Sequence, residues 1–451
     1  VLPSRSIQSS ISDPVPGLRS PIPLSLYIHI PWCVRKCPYC DFNSHGLRGQ
    51  LPVREYVGAL LADLEGDLRD FGDAFAGREI ISVFFGGGTP SLFPPEAIAE
   101  ILDGASARLN FARDCEITLE TNPGTVEHGR FDGYLRAGVN RISFGVQSFD
   151  DEKLRALGRI HSSAEAEAAV KLAQDAGFDN INLDLMYALP NQSVQGALHD
   201  VERAIALVPA HVSHYQLTLE PNTAFAANPP PLPDDEAAWA MQEACQAKFA
   251  QAGYAQYEVS AYARDGRRCA HNLNYWRFGD YLGIGAGAHG KITGDGRRGE
   301  PERLRDAGGI VCEGERPRHG RRGQGCLASA GSASLATGDE SSTVATVRRR
   351  WKVKHPRAYL ENANTASRIG GDAQVAREEL PFEYMLNALR LTDGTPLGEF
   401  QKRTGLALET IETPLREARE RGWLEEAPRI LRATELGRRF LNDVIELFMP
   451  P

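Results

Sequence analysis

The stretch Tyr27–Phe42, YIHIPWCVRKCPYCDF, decides how this chain reads. Its three cysteines, Cys33, Cys37 and Cys40, are separated by gaps of three residues and then two, which sets three thiolates on one tight loop. That spacing suits a cubane iron–sulfur cluster, which takes four ligands. Phe42 stands where a fourth cysteine might sit, so one iron is left open for an exogenous ligand. Tyr39 supplies an aromatic wall beside the cluster. A zinc site needs four ligands, and only His29 and His45 are near enough to help complete one, which makes zinc the minor alternative. A disulfide is less suited still, because the eight cysteines are scattered through 451 residues with no signal peptide ahead of them.

Working outward, short apolar runs rich in β-formers alternate with longer helical stretches. The strands expected are Leu24–Ile30, Ile80–Phe85, Glu116–Glu120, Arg141–Gln147, Ile181–Tyr187 and Val212–Leu219. Between them, Arg54–Asp70, Pro95–Arg108, Ser163–Gly177 and Val194–Val208 carry helical apolar periodicity. Strand–helix alternation of this kind gives a parallel sheet with crossover helices. The fold class is therefore α/β, a partial (β/α)6 TIM-like barrel over residues 24–290. In such barrels the site lies at the carboxyl ends of the strands, and those ends carry unusual residues here. The first leads into the cysteine loop, the second into Gly86-Gly87-Gly88-Thr89-Pro90, and the third ends on Glu120. The fourth ends on Gln147, the fifth carries Asp184, and the sixth carries Tyr215 and Gln216. GGGTP lacks the lysine of a phosphate-binding loop and the spacing of the dinucleotide fingerprint. Its glycines instead let backbone amides and carbonyls approach a ligand closely.

Composition narrows the field. Hydrophobic content of 42 % and charged content of 24 % are those of a globular protein of two or three domains. A net charge of −9 argues against a general nucleic-acid binder. No apolar stretch reaches the roughly 20 residues that span a bilayer. Residues 1–23 are Ser/Pro-rich without a hydrophobic core segment and read as a flexible leader. Reduced thiolates fit the cytoplasm.

With these residues placed, the chain resembles the coproporphyrinogen oxidase-like branch of the radical S-adenosylmethionine (SAM) superfamily. The likeness is carried by YIHIPWCVRKCPYCDF, FFGGGTPS, ETNPGT, RISFGVQSF, LGRIHS and LDLMYALP, and runs from about Leu24 to Gly290 and again from Arg349 onward. It implies a 4Fe-4S cluster on Cys33, Cys37 and Cys40, and SAM held at the open iron. Tyr27 would lie near the pair, Gly87, Gly88 and Thr89 would hold the methionine end, and Glu120, Gln147, Arg159 and Asp184 would contact ribose, adenine or carboxylate. The chemistry implied is one-electron cleavage of SAM, with a one-electron reductant as partner. Ala188 and Asn191 depart from the family, where glycines are usual, which puts the local loop geometry in question.

Two activities compete within that branch. The oxygen-independent oxidase decarboxylates a porphyrinogen and carries one more cysteine where Phe42 stands. Its sister group of haem chaperones lacks that cysteine, which makes catalysis uncertain and a chaperone role, with haem as cargo and haem-accepting proteins as partners, the closer match. HNLNYW (His271–Trp276) resembles a motif of that group, so His271, Tyr275 and Trp276 become candidate haem contacts. Against this, a histidine beside aromatics is more often a core residue, and Cys269 offers a second, thiolate ligand. Cys115 and Cys245 read as packing residues.

Residues 294–347 do not read like the rest: they are rich in Gly, Arg, Ser and Ala, lack periodicity, and are expected to be a disordered insertion. A compensated frame slip in a GC-rich coding region would produce such text. The basic tract RPRHGRRGQG could touch an anionic membrane surface, although a solvated insertion is the simpler account. Residues 349–451 regain helical periodicity, over Glu378–Leu391, Pro396–Thr404, Ala407–Arg421 and Thr434–Phe448. With short β segments at Trp423–Leu424 and Ile430–Arg432, they resemble a mostly helical, winged-helix-like cap. It lacks a concentrated basic recognition helix, which favours substrate cover or partner contact over DNA binding.

Overall fold

The computed structural model describes residues 22–125, 130–294 and 346–450. The expected leader, apart from Ile22 and Pro23, and the expected insertion, apart from Gly294, Thr346 and Val347, lie outside the described residues. Those last three belong to paired strands.

Strand β1 (Leu24–Ile30) shows the principle on which the sheet is built. Leu24, Leu26, Ile28 and Ile30 alternate with Ser25, Tyr27 and His29, so one face is apolar and the other polar, and both are covered. The apolar face packs against helix α1 (Val53–Phe75), whose Tyr56, Val57, Leu60 and Leu64 recur at helical spacing in the main core. The chain continues through β2 (Glu79–Gly87), α2 (Pro95–Ser106), β3 (Asn110–Thr121), α3 (Arg130–Arg136), β4 (Arg141–Gln147), α4 (Ser163–Asp175), β5 (Ile181–Tyr187), α5 (Val194–Ala206) and β6 (His211–Gln216). Helix starts follow the side chains that cap them. Ser162 and Glu165 form a reciprocal capping box at α4, and Ser193 accepts the Gly196 amide at α5.

β1 to β6 are neighbours in chain order and all parallel, as successive strand–helix units require. β1, β4 and β5 have the limits expected from sequence. β3 begins six residues earlier, at Asn110. β6 stops at Gln216, so Leu217 to Leu219 fall outside the strand expected to include them.

The sheet is larger than the sequence pattern showed. Beyond β6 lie β7 (Ala255–Glu258) and β8 (Ala261–Ala263), reached through helix α6 (Asp235–Gln251). Helix α7 (Ala270–Trp276) leads to β9 (Asp280–Ile284), which lies parallel to β1 on its other side. β10 (His289–Gly294), β11 (Thr346–Lys352) and β12 (Ile369–Gln374) then add antiparallel neighbours, with helix α8 (Pro356–Asn362) between the last two. The full order is β12-β11-β10-β9-β1-β2-β3-β4-β5-β6-β8-β7. Residues 346–374 thus complete the main sheet.

A second apolar core gathers Phe278 and Val347 with residues from Val375 onward. It joins helices α9 (Leu380–Ala388), α10 (Leu397–Thr404) and α11 (Glu412–Glu420) to a two-stranded ribbon of Thr395–Pro396 with Ile430–Leu431. Trp423–Leu424 contributes only the single bridge Leu424–Ala433. The expected last helix is divided into Glu435–Arg439 and Leu441–Glu446.

Candidate functional site

The inner face of the six parallel strands carries a belt of buried polar side chains. Ser25 and Ser82 share a hydrogen bond of 2.7 Å, Asn182 Nδ2 donates to Ser143 Oγ at 2.8 Å, and His211 meets Asn182 Oδ1 at 2.6 Å. Fully buried Arg141 reaches Thr118 Oγ1 and stands 3.9 Å from Glu116. Buried polar groups demand such partners, so this belt fixes the inner side chains against one another.

Above the belt, at the carboxyl ends of the parallel strands, a cleft opens to solvent. Cys33, Cys37 and Cys40 line it together, with Phe42 at the rim, 62 % exposed. Seven of the eight residues expected at SAM line the same cleft: Gly87, Gly88, Thr89, Glu120, Gln147, Arg159 and Asp184. Tyr27 does not. It lies below, donating to His29 Nδ1 at 3.0 Å and bearing electrostatically on Glu120.

The cysteine loop is held by contacts that local sequence does not announce. Gly88 and Thr89 donate backbone amides to Ile30 and Trp32, at 2.8 and 2.7 Å. A Cβ at Gly88 would lie 2.5 Å from the Trp32 carbonyl oxygen, so only glycine permits this approach. His29, one of the two histidines considered for zinc, donates Nε2–H to the Asn43 carbonyl at 3.0 Å, and burial lowers its pKa to about 4. Asn43 Nδ2 in turn donates to the carbonyls of Ala286 and Lys354, at 2.9 and 2.8 Å. The loop is thereby tied to segments more than 240 positions away, and no short-range pattern could have singled out Asn43.

The cleft's charges are uneven. Glu120 is pushed up to about 8, first by burial and then by Asp184 beside it; it accepts the Gly87 amide at 3.3 Å. Burial also raises Asp184, which accepts from Asn182 Nδ2 at 2.7 Å. Across the cleft, Arg159 donates to the Gly145 carbonyl at 2.5 Å and reaches Cys37 Sγ at 3.5 Å, while its buried Nε has no partner. Gln147 takes φ 72°, a left-handed conformation rare outside glycine, and accepts from Tyr215 at 2.8 Å. Sequence reading set Tyr215 at a strand end without giving it a role. Burial raises the Cys33 thiol. Among the described residues no three His, Cys, Asp or Glu side chains converge on a single metal ion, whereas the three thiols do share one cleft.

The HNLNYW segment is elsewhere. It forms α7 on the inner face, where His271 stacks on Phe84 (centroids 4.7 Å apart, 23° between planes) and its Nδ1 lies 3.4 Å from Ser82 Oγ. Burial lowers its pKa to about 3. Tyr275 stacks on Tyr281, and Trp276, half-buried, lies under Arg390. His271 and Tyr275 thus pack against each other, with ring centroids 4.8 Å apart, and His271 is only 6 % exposed. Cys269 is buried and meets Glu116 at 3.3 Å. Cys115 and Cys245 are buried among core residues.

Comparison with known proteins places this architecture. Residues 27–204 match the Radical SAM superfamily, and residues 375–440 match the HemN C-terminal domain. The solved structure of the Escherichia coli coproporphyrinogen III oxidase shares the fold, with a TM-score of 0.71 over 95 % of this chain and 91 % of that one at 21 % identity. In sequence, the haem chaperone HemW of E. coli K12 is 47 % identical over 95 % of this chain and 98 % of its own length. That of Haemophilus influenzae is 44 % identical with the same coverage. The chain belongs to the HemW family of radical SAM proteins.

Proposed function

We propose that this protein is a haem chaperone that carries a 4Fe-4S cluster on Cys33, Cys37 and Cys40, binds SAM in the adjoining cleft, and passes haem to acceptor proteins in the cytoplasm. The observation that carries the reading is the full-length similarity to HemW relatives, together with three thiols and seven nucleotide-site candidates lining one cleft. The donor set fits both groups. Three sulfurs on one loop leave a fourth cluster position for a ligand, and a buried guanidinium with one unpartnered N–H, lining the same cleft as two raised carboxyls, suits a zwitterion bearing a carboxylate and cationic centres. When bound, the cluster and SAM would supply one-electron chemistry. The protein's own part is to orient: Arg159 holds a carboxylate, Gly87, Gly88 and Thr89 offer backbone groups to the methionine end, and Gln147 and Tyr215 fix the far wall. Phe42, in the place of a fourth cysteine, is a further mark of the chaperone group over the oxidase.

The test is anaerobic reconstitution of the full chain, with iron and sulfide counted, SAM added while the reduced cluster is followed by electron paramagnetic resonance (EPR), and hemin then titrated. About four irons per chain, a spectrum perturbed by SAM, stoichiometric haem binding and no decarboxylation of coproporphyrinogen III are expected. Cys33→Ser should lose the cluster signal. Efficient porphyrinogen decarboxylation would overturn the reading in favour of the oxidase.

A further inference from the structure

The rim beside the cysteine loop carries a second, accessible set of imidazoles. His289, on β10, is exposed, and its ring stacks on Trp351, its cross-strand neighbour on β11, with centroids 6.2 Å apart and planes 20° apart. His355 is also exposed and meets His45 edge to face at 5.7 Å. Asn43 binds the group together, because its Nδ2 donates to the Lys354 carbonyl at 2.8 Å while its Oδ1 accepts from His45 Nε2 at 3.2 Å. Neither the His289 nor the His355 ring has a hydrogen-bond partner among the described residues.

The same rim is cationic in a protein that is acidic as a whole. Exposed Lys36 is close enough to oppose protonation of His45, and exposed Lys354 does the same to His289. From Cys33 to Arg48 the loop holds Arg35, Lys36 and Arg48 against a single acid, Asp41. Phe42, whose carbonyl accepts from Lys36 at 3.0 Å, adds an exposed apolar ring. This is a poor three-ligand site for a single ion. Haem asks for something else: one or two axial imidazoles, an aromatic face for the macrocycle, and cations for two propionates. The rim offers all three. His271 offers none of them openly, since its ring lies between Phe84 and Tyr275 beneath the cleft.

We propose that haem seats on this rim, its iron taken by the imidazole of His289 or His355 and its propionates by Lys36 and Lys354, while His271 remains a core residue. The proposal rests on the haem-chaperone reading, and the experiment separates the two. The full-length protein is titrated with hemin, following the Soret band and the ferric-haem EPR signal. His289→Ala/His355→Ala should weaken binding at least tenfold and remove the imidazole-ligated haem signal. Lys36→Glu/Lys354→Glu should weaken it several-fold without moving the Soret maximum. His271→Asn should lower the melting temperature while leaving the Soret maximum in place, and His199→Ala, an exposed histidine elsewhere, should change nothing. If wild type binds hemin and the His289/His355 double variant binds it equally well with near-native circular dichroism, the rim is excluded and the chaperone reading stands. Equal weakening by His199→Ala would show adventitious surface binding and also exclude the rim. Wild type that binds no hemin overturns the chaperone reading itself.

Discussion

Two clusters of buried charge lie on opposite faces of the main sheet, and they are built on opposite rules. On the outer face, α1 presents buried Asp63 and Asp67, with exposed Asp70 at the edge, to Arg350, Lys352 and Arg368. Lys352 Nζ donates to Asp63 at 2.5 Å and to both Asp67 oxygens at 2.8 Å, and Tyr359 donates to Asp63 Oδ2 at 2.8 Å. Every charge there has its counter-charge. On the inner face, Glu120 and Asp184 are like charges side by side, and the Nε of Arg159 is left without a partner. Complete pairing marks a joint between α1 and residues 350–368. Incomplete pairing marks a place kept for a ligand.

Cutting the joint should have the largest effect on stability. Asp63→Ala strips Lys352 and Arg368 of a buried counter-charge, and breaking such a pair costs about 3–5 kcal/mol. A shift in the urea midpoint worth less than 1 kcal/mol would show that the outer cluster is not a joint at all.

The inner cluster should respond in the other direction. A carboxyl raised to about 8 binds more protons folded than unfolded from its ordinary value near 4.5 up to about 8. Its stabilising share is therefore full at low pH and is lost as the pH rises through that window. The protein without SAM should melt at higher temperature at pH 6 than at pH 8. Glu120→Gln should flatten this slope and gain about 1–2 kcal/mol at pH 8, while weakening SAM binding at least tenfold by calorimetry. Asp200, held by Ser148 and the Phe149 amide and raised to about 7 by burial, leaves a residual slope below neutrality. An unchanged pH profile in Glu120→Gln would remove Glu120 as its source.

The two faces also differ in how far sequence could reveal them. The inner face was largely legible, because parallel strands bring their carboxyl ends to one side and Cys33, Gly87, Glu120, Gln147 and Asp184 could be placed by strand number alone. The outer joint was not, since Asp63, Asp67 and Asp70 look like the solvated side of an amphipathic helix until β11 is known to return against them. The same long-range return hid Asn43, whose partners lie at Ala286 and Lys354. His271 was ambiguous for a different reason: a polar inner face buries histidines and tyrosines together, so an aromatic-rich motif packed there and a binding site look alike in sequence.

Asn43 sharpens the comparison at intermediate magnitude, for it links the joint side to the cleft side. Asn43→Ala leaves the Ala286 and Lys354 carbonyls and His45 without their partner, which should cost about 1–2 kcal/mol. More tellingly, it should slow or reduce cluster reconstitution while Cys33, Cys37 and Cys40 remain intact. Full iron incorporation at the wild-type rate would show that the loop needs no tie to the far end of the sheet.

The smallest effect tests backbone strain in the turn after β5. Ala188 and Asn191 follow β5, the strand that carries Asp184, and both take left-handed backbone angles, φ 56° and 53°. Those angles suit glycine, since a Cβ costs about 1–2 kcal/mol in this conformation. Asparagine tolerates it better than alanine because its short side chain bonds locally. Ala188→Gly removes the clash but frees the unfolded chain, so the two terms leave a net gain of about 0.5–1 kcal/mol. Asn191→Gly should stay within a few tenths of zero. Chemical denaturation of both variants, side by side, checks the difference. If Ala188→Gly destabilises, the left-handed turn after β5 is held by packing strong enough to make the methyl group an asset.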